Sequence, residues 1–407
     1  MPVNRLGSRI SPDIQGPPSF YLILNFIFAQ TPILIFLPMK KILLAIAFIF
    51  SAFAAWAQEK ITDDLKALSD NGKYDEIVSR YTSNTSAYPA KALCYIGQAY
   101  YMKEDNENCL KYMDMAIAKD SKIAEAYYLK GMTYSYMGKF EAAIPLLQTA
   151  IGLQPAEADN YSGLGDTYYN LKKQDQALAA YQKATSLDHC PDRPYVMIAQ
   201  IYTDKEEYAK AIEAYYTAKS KISKESASYL SVLYNLGTME YLHGDADHAA
   251  TVLIELILMA PDDYPSYARL IQVFNRQKKY EQAQLYKEKL YAAHKDGKLP
   301  GNMQDRFCID QFKWKDYSVM VFERYENENK GRIYYKHIFY VLDKQEQTAL
   351  SVQSEFSPIS VELKGPKYLL CASKGNSHLN PGIGLKEDTK YENLKALAIK
   401  LFEKYLE

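Results

Sequence analysis

Cys308, Cys371, His337, His378 and Asp310 are of the types that carry covalent catalysis, with an imidazole taking a thiol proton and a carboxylate orienting the ring. Nothing in their spacing marks such a site. Cys371 lies in an apolar run, YLLCAS, where a buried and inert thiol is the ordinary outcome. His243 and His248 are five apart near a helix turn, whereas one metal held by one helix needs ligands three or four apart. His189 and Cys190 stand side by side and read as surface polar residues. The 5 cysteines include no CxxC, which excludes a disulfide framework and a thiolate zinc site. Residues 375–384, GNSHLNPGIG, lack the Lys-Ser/Thr of a phosphate loop and read as a long surface loop, with a ligand or partner contact as the alternative. The expectation is therefore no catalytic residue, no metal, no cofactor and no enzyme.

The elements around these residues fall into distinct stretches. Of 407 residues, 48% are hydrophobic and 24% charged, a globular composition. Lys plus Arg is 48 against 49 for Asp plus Glu, so no basic excess attracts phosphate backbones and no nucleic-acid partner is expected. Met39-Lys40-Lys41 opens an apolar run ending in small residues at Ala55 and Ala57, the pattern of a secretory signal peptide cut before Gln58. Residues 1–38 then read as an over-called start. Taking 20–38 as a transmembrane helix fits poorly with Pro32, Pro38 and the second apolar run. Without the leader the formal charge is −4, with no stable membrane insertion expected.

From residue 90 a period dominates. Gly97, Gly131 and Gly165 are 34 apart, followed by Ala199 and Gly237; Cys109, Ala143, Ala177, Ala211, Ala249 and Ala283 run in parallel with one spacing of 38. Tyr100, Tyr134, Tyr168 and Tyr202 keep the same step. Each unit holds two amphipathic helical stretches around a turn such as Met137-Gly138-Lys139, and none can bury its apolar face alone, so the units must stack. Residues 124–157 (AEAYYLKGMTYSYMGKFEAAIPLLQTAIGLQPAE) resemble the tetratricopeptide family, with Tyr127 in place of Trp, then Gly131, Tyr134, Phe140, Ala143, Ala150 and Pro155. The resemblance implies a right-handed α-solenoid of six repeats starting near 90, 124, 158, 192, 230 and 264, after a degenerate one at 58–89 marked by Asn71-Gly72-Lys73-Tyr74.

In that family the second, fifth, ninth and twelfth positions of each first helix line the concave face. Carried over, they include Gln98, Tyr101, Tyr128, Met132, Asp166, Tyr169, Arg193, Gln200, Tyr234, Thr238 and Tyr241, with Lys91, Cys94, Glu125, Ser135, Asp159, Ser162, Val196, Thr203 and Ser231 beside them. The set lacks the cations with which some relatives clamp acidic chaperone tails. It suits an extended peptide, because tyrosine offers area and a hydroxyl at little entropic cost. The plainer alternative is that many of these tyrosines merely stack between helices.

Past Lys298-Leu299-Pro300-Gly301 the period shifts toward two. Tyr317–Tyr325, Ile333–Leu342, Ala349–Phe356, Ile359–Leu363 and Tyr368–Cys371 read as strands, with a hairpin turn at 327–331. A final helix has a capping box from Thr389 to Glu392 and an apolar stripe of Leu394, Leu397, Ala398, Leu401, Phe402 and Tyr405. The whole reads as a mostly α chain: leader 1–57, cap 58–89, repeats 90–297, and a small α+β domain with an antiparallel sheet at 298–407. The expected function is a non-catalytic scaffold of the bacterial envelope, periplasmic or outer-membrane-associated, binding a protein or peptide in its groove. The alternative is a glycan or small-ligand binder using Trp314, Tyr334, Tyr335 and Tyr340 of the last domain.

Overall fold

The computed structural model describes residues 39–83, 85–327, 333–356, 368–386 and 389–406, in two compact units divided between Leu153 and Gln154. In the first, helices α1 (Met39–Asp70) and α2 (Tyr74–Tyr81) form the degenerate opening pair and bury Leu65 and Ile77. Two repeats follow, α3 (Ala90–Met102) with α4 (Asn106–Lys119) and α5 (Ala124–Tyr136) with α6 (Phe140–Leu153). The second unit opens with α7 (Ala158–Asn170) and α8 (Gln174–Thr185), then α9 (Asp192–Asp204) and α10 (Tyr208–Lys221). It continues with α11 (Ala227–His243) and α12 (Ala246–Met259), then α13 (Tyr264–Arg276) and α14 (Tyr280–Lys295). The longer spacing, between Ala211 and Ala249, resides in α11, which has 17 residues where α9 has 13 and starts behind an N-cap at Ser226.

The period has a steric and a backbone cause. A Cβ on Gly131 would lie 2.8 Å from Leu147, and one on Gly165 would lie 2.6 Å from the Tyr181 ring, so glycine lets a large side chain of the second helix cross the first. The turn between the two helices needs one left-handed residue. Gly138 supplies it in one repeat, but Glu104, Lys172, Glu206 and Lys278 adopt it elsewhere at φ of 58–61°. One residue later a backbone N–H caps the helix on the carbonyl of the repeat's aromatic: Asp105 on Tyr100, Lys139 on Tyr134, Lys173 on Tyr168, Glu207 on Tyr202 and Lys279 on Phe274. In the fifth repeat the aromatic is Glu240. Its buried carboxylate instead accepts from the Asp245 N–H at 2.9 Å and from Tyr216 Oη at 2.7 Å.

The sheet is an antiparallel meander in sequence order: β1 (Arg306–Trp314), β2 (Tyr317–Asn327), β3 (Ile333–Leu342), β4 (Thr348–Phe356), β5 (Tyr368–Lys374) and β6 (Ser377–Leu385). β2 to β5 stand where alternation placed them. β1 was not expected, and 377–385, read as a surface loop, is the other edge strand. Ile359–Leu363 and most of the turn at 327–331 lie outside the described residues. Helix α15 (Tyr391–Leu406) presses Leu394, Ala398, Leu401 and Phe402 into the core that Val319, Val321, Phe339, Val341 and Val352 build from the sheet's inner face. Its expected capping box does not form: Thr389 Oγ1 donates to the Lys386 carbonyl at 2.7 Å and the helix begins at Tyr391.

Residues on both sides of Lys298–Gly301 share one core. Tyr241, Leu253, Leu270, Phe274 and Leu290 of the last two repeats join Phe307, Ile309, Val319 and Phe402 in a single cluster. A bulge between Cys308 and Asp310 turns Asp310 inward, where its carboxylate accepts from Tyr391 Oη at 2.6 Å, Lys395 Nζ at 2.7 Å and the Gln311 N–H at 2.8 Å. Glu323, opposite His337 on β3, accepts from Lys287 Nζ of α14 at 2.7 Å, from His337 Nε2 at 3.0 Å and from Tyr291 Oη. Both carboxylates are almost wholly buried, and together they tie α14 and α15 to the sheet through fully partnered polar groups.

Candidate partner-binding groove

In the first unit, Lys91 and Glu125, second residues of consecutive repeats, form an ion pair. Gln98 accepts from Ser69 Oγ at 3.1 Å. Tyr101, Tyr128 and Met132 are half-buried, whereas Cys94 and Ser135 are buried. Burial pushes the Cys94 thiol up to about 12, so it stays protonated.

In the second unit four expected residues assemble into a ladder with two that were not picked. Arg193 Nε reaches both oxygens of Asp166 at 2.7 Å, and Tyr181 Oη donates to the same carboxylate. Tyr169 Oη and Gln200 Nε2 both donate to Asp204 at 2.7 Å. The hydrogen bond to Asp204, with burial, pushes the Tyr169 phenol up to about 12. Burial first, then the Asp166 charge, push Tyr181 higher still. Asp204 follows the twelfth position by one residue and Tyr181 comes from the second helix, so a rule restricted to four positions of the first helix could not select them. Arg193 is exposed, and Asp159, Asp166 and Asp204 outnumber it among these groove residues.

Other expected positions do not face an open groove. Thr203 turns its hydroxyl back to the Ala199 carbonyl at 3.0 Å, and Ser162 is buried. Tyr234 is half-buried against the core of the fourth and fifth repeats, and Thr238 Oγ1 is buried without a hydrogen-bond partner. Tyr241 departs furthest from expectation. It is 0% exposed, its ring lies under Arg276 at 3.8 Å, and its hydroxyl donates to the Gln311 carbonyl at 3.3 Å. The reason is β1, which lies along α13. Gln272 Nε2 donates to the Cys308 carbonyl at 3.1 Å and Asn275 Nδ2 to the Ile309 carbonyl at 2.6 Å. Gln272 and Asn275 occupy the ninth and twelfth positions of the sixth repeat, beyond the five repeats whose groove positions the sequence supplied.

The residues considered for nucleophilic chemistry are dispersed. Cys308 pairs across from Phe322 and His337 across from Glu323, which puts them on opposite faces of the sheet. Burial pushes the Cys308 thiol up to about 11. His378 Nδ1 sits 3.2 Å from Ser373 Oγ. His243 stacks on Tyr208, while His248 points toward Glu240, so they do not converge. Among the described residues no group of three His, Cys, Asp or Glu could hold a metal. Of the aromatics proposed for glycan stacking, Trp314 packs edge-on against Phe402 in the inner core. Tyr340 faces the other side, accepting from Arg306 at 3.0 Å. The side chains of Tyr334 and Tyr335 lie outside the described ones.

Tetratricopeptide-repeat family models match residues 128–194 and 192–220. Residues 128–220 are tetratricopeptide repeats. A MamA protein aligns at 21% identity over 42% of this chain and 92% of its own, with a TM-score of 0.36. PilF of Pseudomonas aeruginosa aligns at 17% identity over 51% and 94%, with a TM-score of 0.44. YrrB, described as a tetratricopeptide-repeat protein with an unusual peptide-binding site, aligns at 18% identity over 47% and 95%, with a TM-score of 0.36. No curated protein matches the sequence. Proteins built from these repeats bind protein or peptide partners, and among the described residues no helix is long and apolar enough to cross a membrane. The repeats thus supply a protein-interaction scaffold.

Proposed function

We propose that this tetratricopeptide-repeat protein is a non-catalytic scaffold of the bacterial envelope that holds an extended segment of another protein against α7, α9 and the first half of α11. The observation that carries the reading is the ladder of Asp166, Arg193, Tyr169, Gln200 and Asp204. It pairs a guanidinium with one carboxylate, and a phenol and an amide with another, on neighbouring first helices. Such pairs can exchange their internal hydrogen bonds for those of a bound main chain. Export rests on the leader. Ile46, Phe48, Phe50 and Phe53 are exposed along the first part of α1, while its buried residues, Leu65 and Ser69, come after Gln58. Cutting before Gln58 therefore removes no described part of the core.

The test is affinity capture from envelope extract with the chain 58–407, compared with Tyr169→Phe/Gln200→Ala and with Tyr128→Ala. A protein recovered by wild type and lost with the double variant supports the ladder. Loss only with Tyr128→Ala moves the site to the first unit, and retention by every variant overturns the groove reading. Amino-terminal sequencing of the cellular protein checks export, with Gln58 as the expected first residue.

A further inference from the structure

We propose that the outer face of the sheet binds an acidic glycan, whose carboxylates sit on a row of cations crossing β1, β2 and β3. The register sets Arg306 directly opposite Arg324, and Arg324 directly opposite Lys336. Alternation puts Arg306 and Arg324 on the face away from the buried Glu323 and Phe339, together with Phe322 and Tyr340. Like charges directly opposite one another destabilise a sheet, yet this sheet keeps two guanidiniums in that relation. Both arginines are exposed, and among the described residues neither forms an ion pair. Glu355 of β4, on the same face, accepts from Gln353 instead. A ligand with its own carboxylates would supply the missing counter-charge.

The rows beside the cations decide the kind of anion. Arg306 lies over the rings of Phe322 and Tyr340, at 5.0 and 5.6 Å, and donates to Tyr340 Oη at 3.0 Å, which fixes the guanidinium. The two rings meet edge to face at 5.9 Å, half-buried beside the buried Ile338. A fixed planar fork suits a carboxylate, and an aromatic ring with a polar tip beside it suits a sugar, which has an apolar face and a hydroxylated rim. β2 and β3 are each paired on both edges, so they offer a peptide no strand edge, and recognition falls to side chains. Half-buried rings cover a flat sugar but do not enclose an acyl chain. The site stands apart from the ladder on α7 and α9 and does not depend on it.

The probe is an end-labelled oligogalacturonate, titrated by fluorescence anisotropy at low salt into the chain 58–407, with its methyl ester as the uncharged control. The acid form is expected to bind and the ester to bind at least about tenfold more weakly. Arg306→Gln/Arg324→Gln should cost the acid form at least about tenfold in affinity, and Phe322→Leu should weaken it as well. Arg324→Glu should abolish binding and yet raise the urea midpoint of the free protein, because it turns like-charge neighbours into ion pairs. A residue kept for structure alone would lower that midpoint when changed, so a lowered midpoint overturns the proposal. No binding by the wild type, equal binding by the double arginine variant, or equal binding of the ester also overturns it. Arginine-dependent binding of phosphatidylglycerol vesicles without binding of the sugar overturns it too, and would give the face to a lipid surface.

Discussion

Replacing Lys287 by Met leaves Glu323 buried with its charge and without its cation. Burial alone would raise the Glu323 carboxyl, but the Lys287 ammonium, with help from His337, holds it below the ordinary carboxylate range. Breaking one side of a buried pair costs about 3–5 kcal/mol. Here Tyr291 and His337 still donate, so the lower end, about 3 kcal/mol, is expected. Removing both charges in Lys287→Met/Glu323→Leu replaces the pair by apolar bulk, an exchange that is often neutral or stabilising, so a cost of no more than about 1–2 kcal/mol is expected. The double variant should therefore be more stable than the single one. The assay is urea unfolding of the chain 58–407, whose one tryptophan is Trp314, followed by its fluorescence, since Trp314 packs against Phe402 within the affected core. A loss of about 3 kcal/mol moves the midpoint by about 1 M urea. A single variant costing under about 1 kcal/mol, or a double variant no better than the single, refutes the account.

The same carboxylate sets an acid limit. Because its folded pKa lies below the ordinary value of 4.5, the unfolded chain takes up the proton first on acidification. Its contribution is present above that value and is lost as pH falls toward the folded pKa; urea midpoints from pH 6 to 3 should decline less steeply in the double variant. Gly165→Ala gains helix propensity but drives a methyl into the Tyr181 ring, so a net loss of about 1–3 kcal/mol is expected in the same denaturation assay. Glu206→Gly relieves a left-handed residue at φ 58° and should stabilise the second unit by about 0.5–1 kcal/mol, read as a higher urea midpoint. Asn275→Ala strands the Ile309 carbonyl and should cost about 1–3 kcal/mol, whereas an effect within about 0.3 kcal/mol would mean that water replaces the amide.

The repeats were legible because their cause is periodic. A glycine, a small residue and an aromatic return at one step, and the first helices start where that step puts them except in the fifth repeat, where α11 begins at Ala227 rather than 230. β2 to β5 were legible from alternation. β1 was not, since the bulge after Cys308 breaks its alternation and sends the polar Asp310 inward. β6 was hidden by Pro381, Gly382 and Gly384, residues that suit an edge strand as well as a loop. The fate of Tyr241 could not be read locally. What covers it lies 70 residues further along the chain, and only folding brings the two together. The ladder was visible in part: Asp166, Tyr169, Arg193 and Gln200 follow the family's positions, while Asp204 stands one residue past the twelfth and Tyr181 enters from the second helix under a glycine.

The fused core between the last repeats and the sheet also bears on how such a chain can change over generations. Stacked repeats usually tolerate duplication or loss anywhere along the array, since each unit meets only its neighbours. In this chain the last two repeats have lost that freedom. α13 presents its Gln272 and Asn275 to β1, and α14 anchors Glu323, so copying or deleting either repeat would tear the sheet from its support. Length can vary ahead of them, while recombination within 227–407 must carry the segment whole. The unit of inheritance at this end is therefore two repeats with their sheet, wherever the turn at Lys298–Gly301 invites a cut.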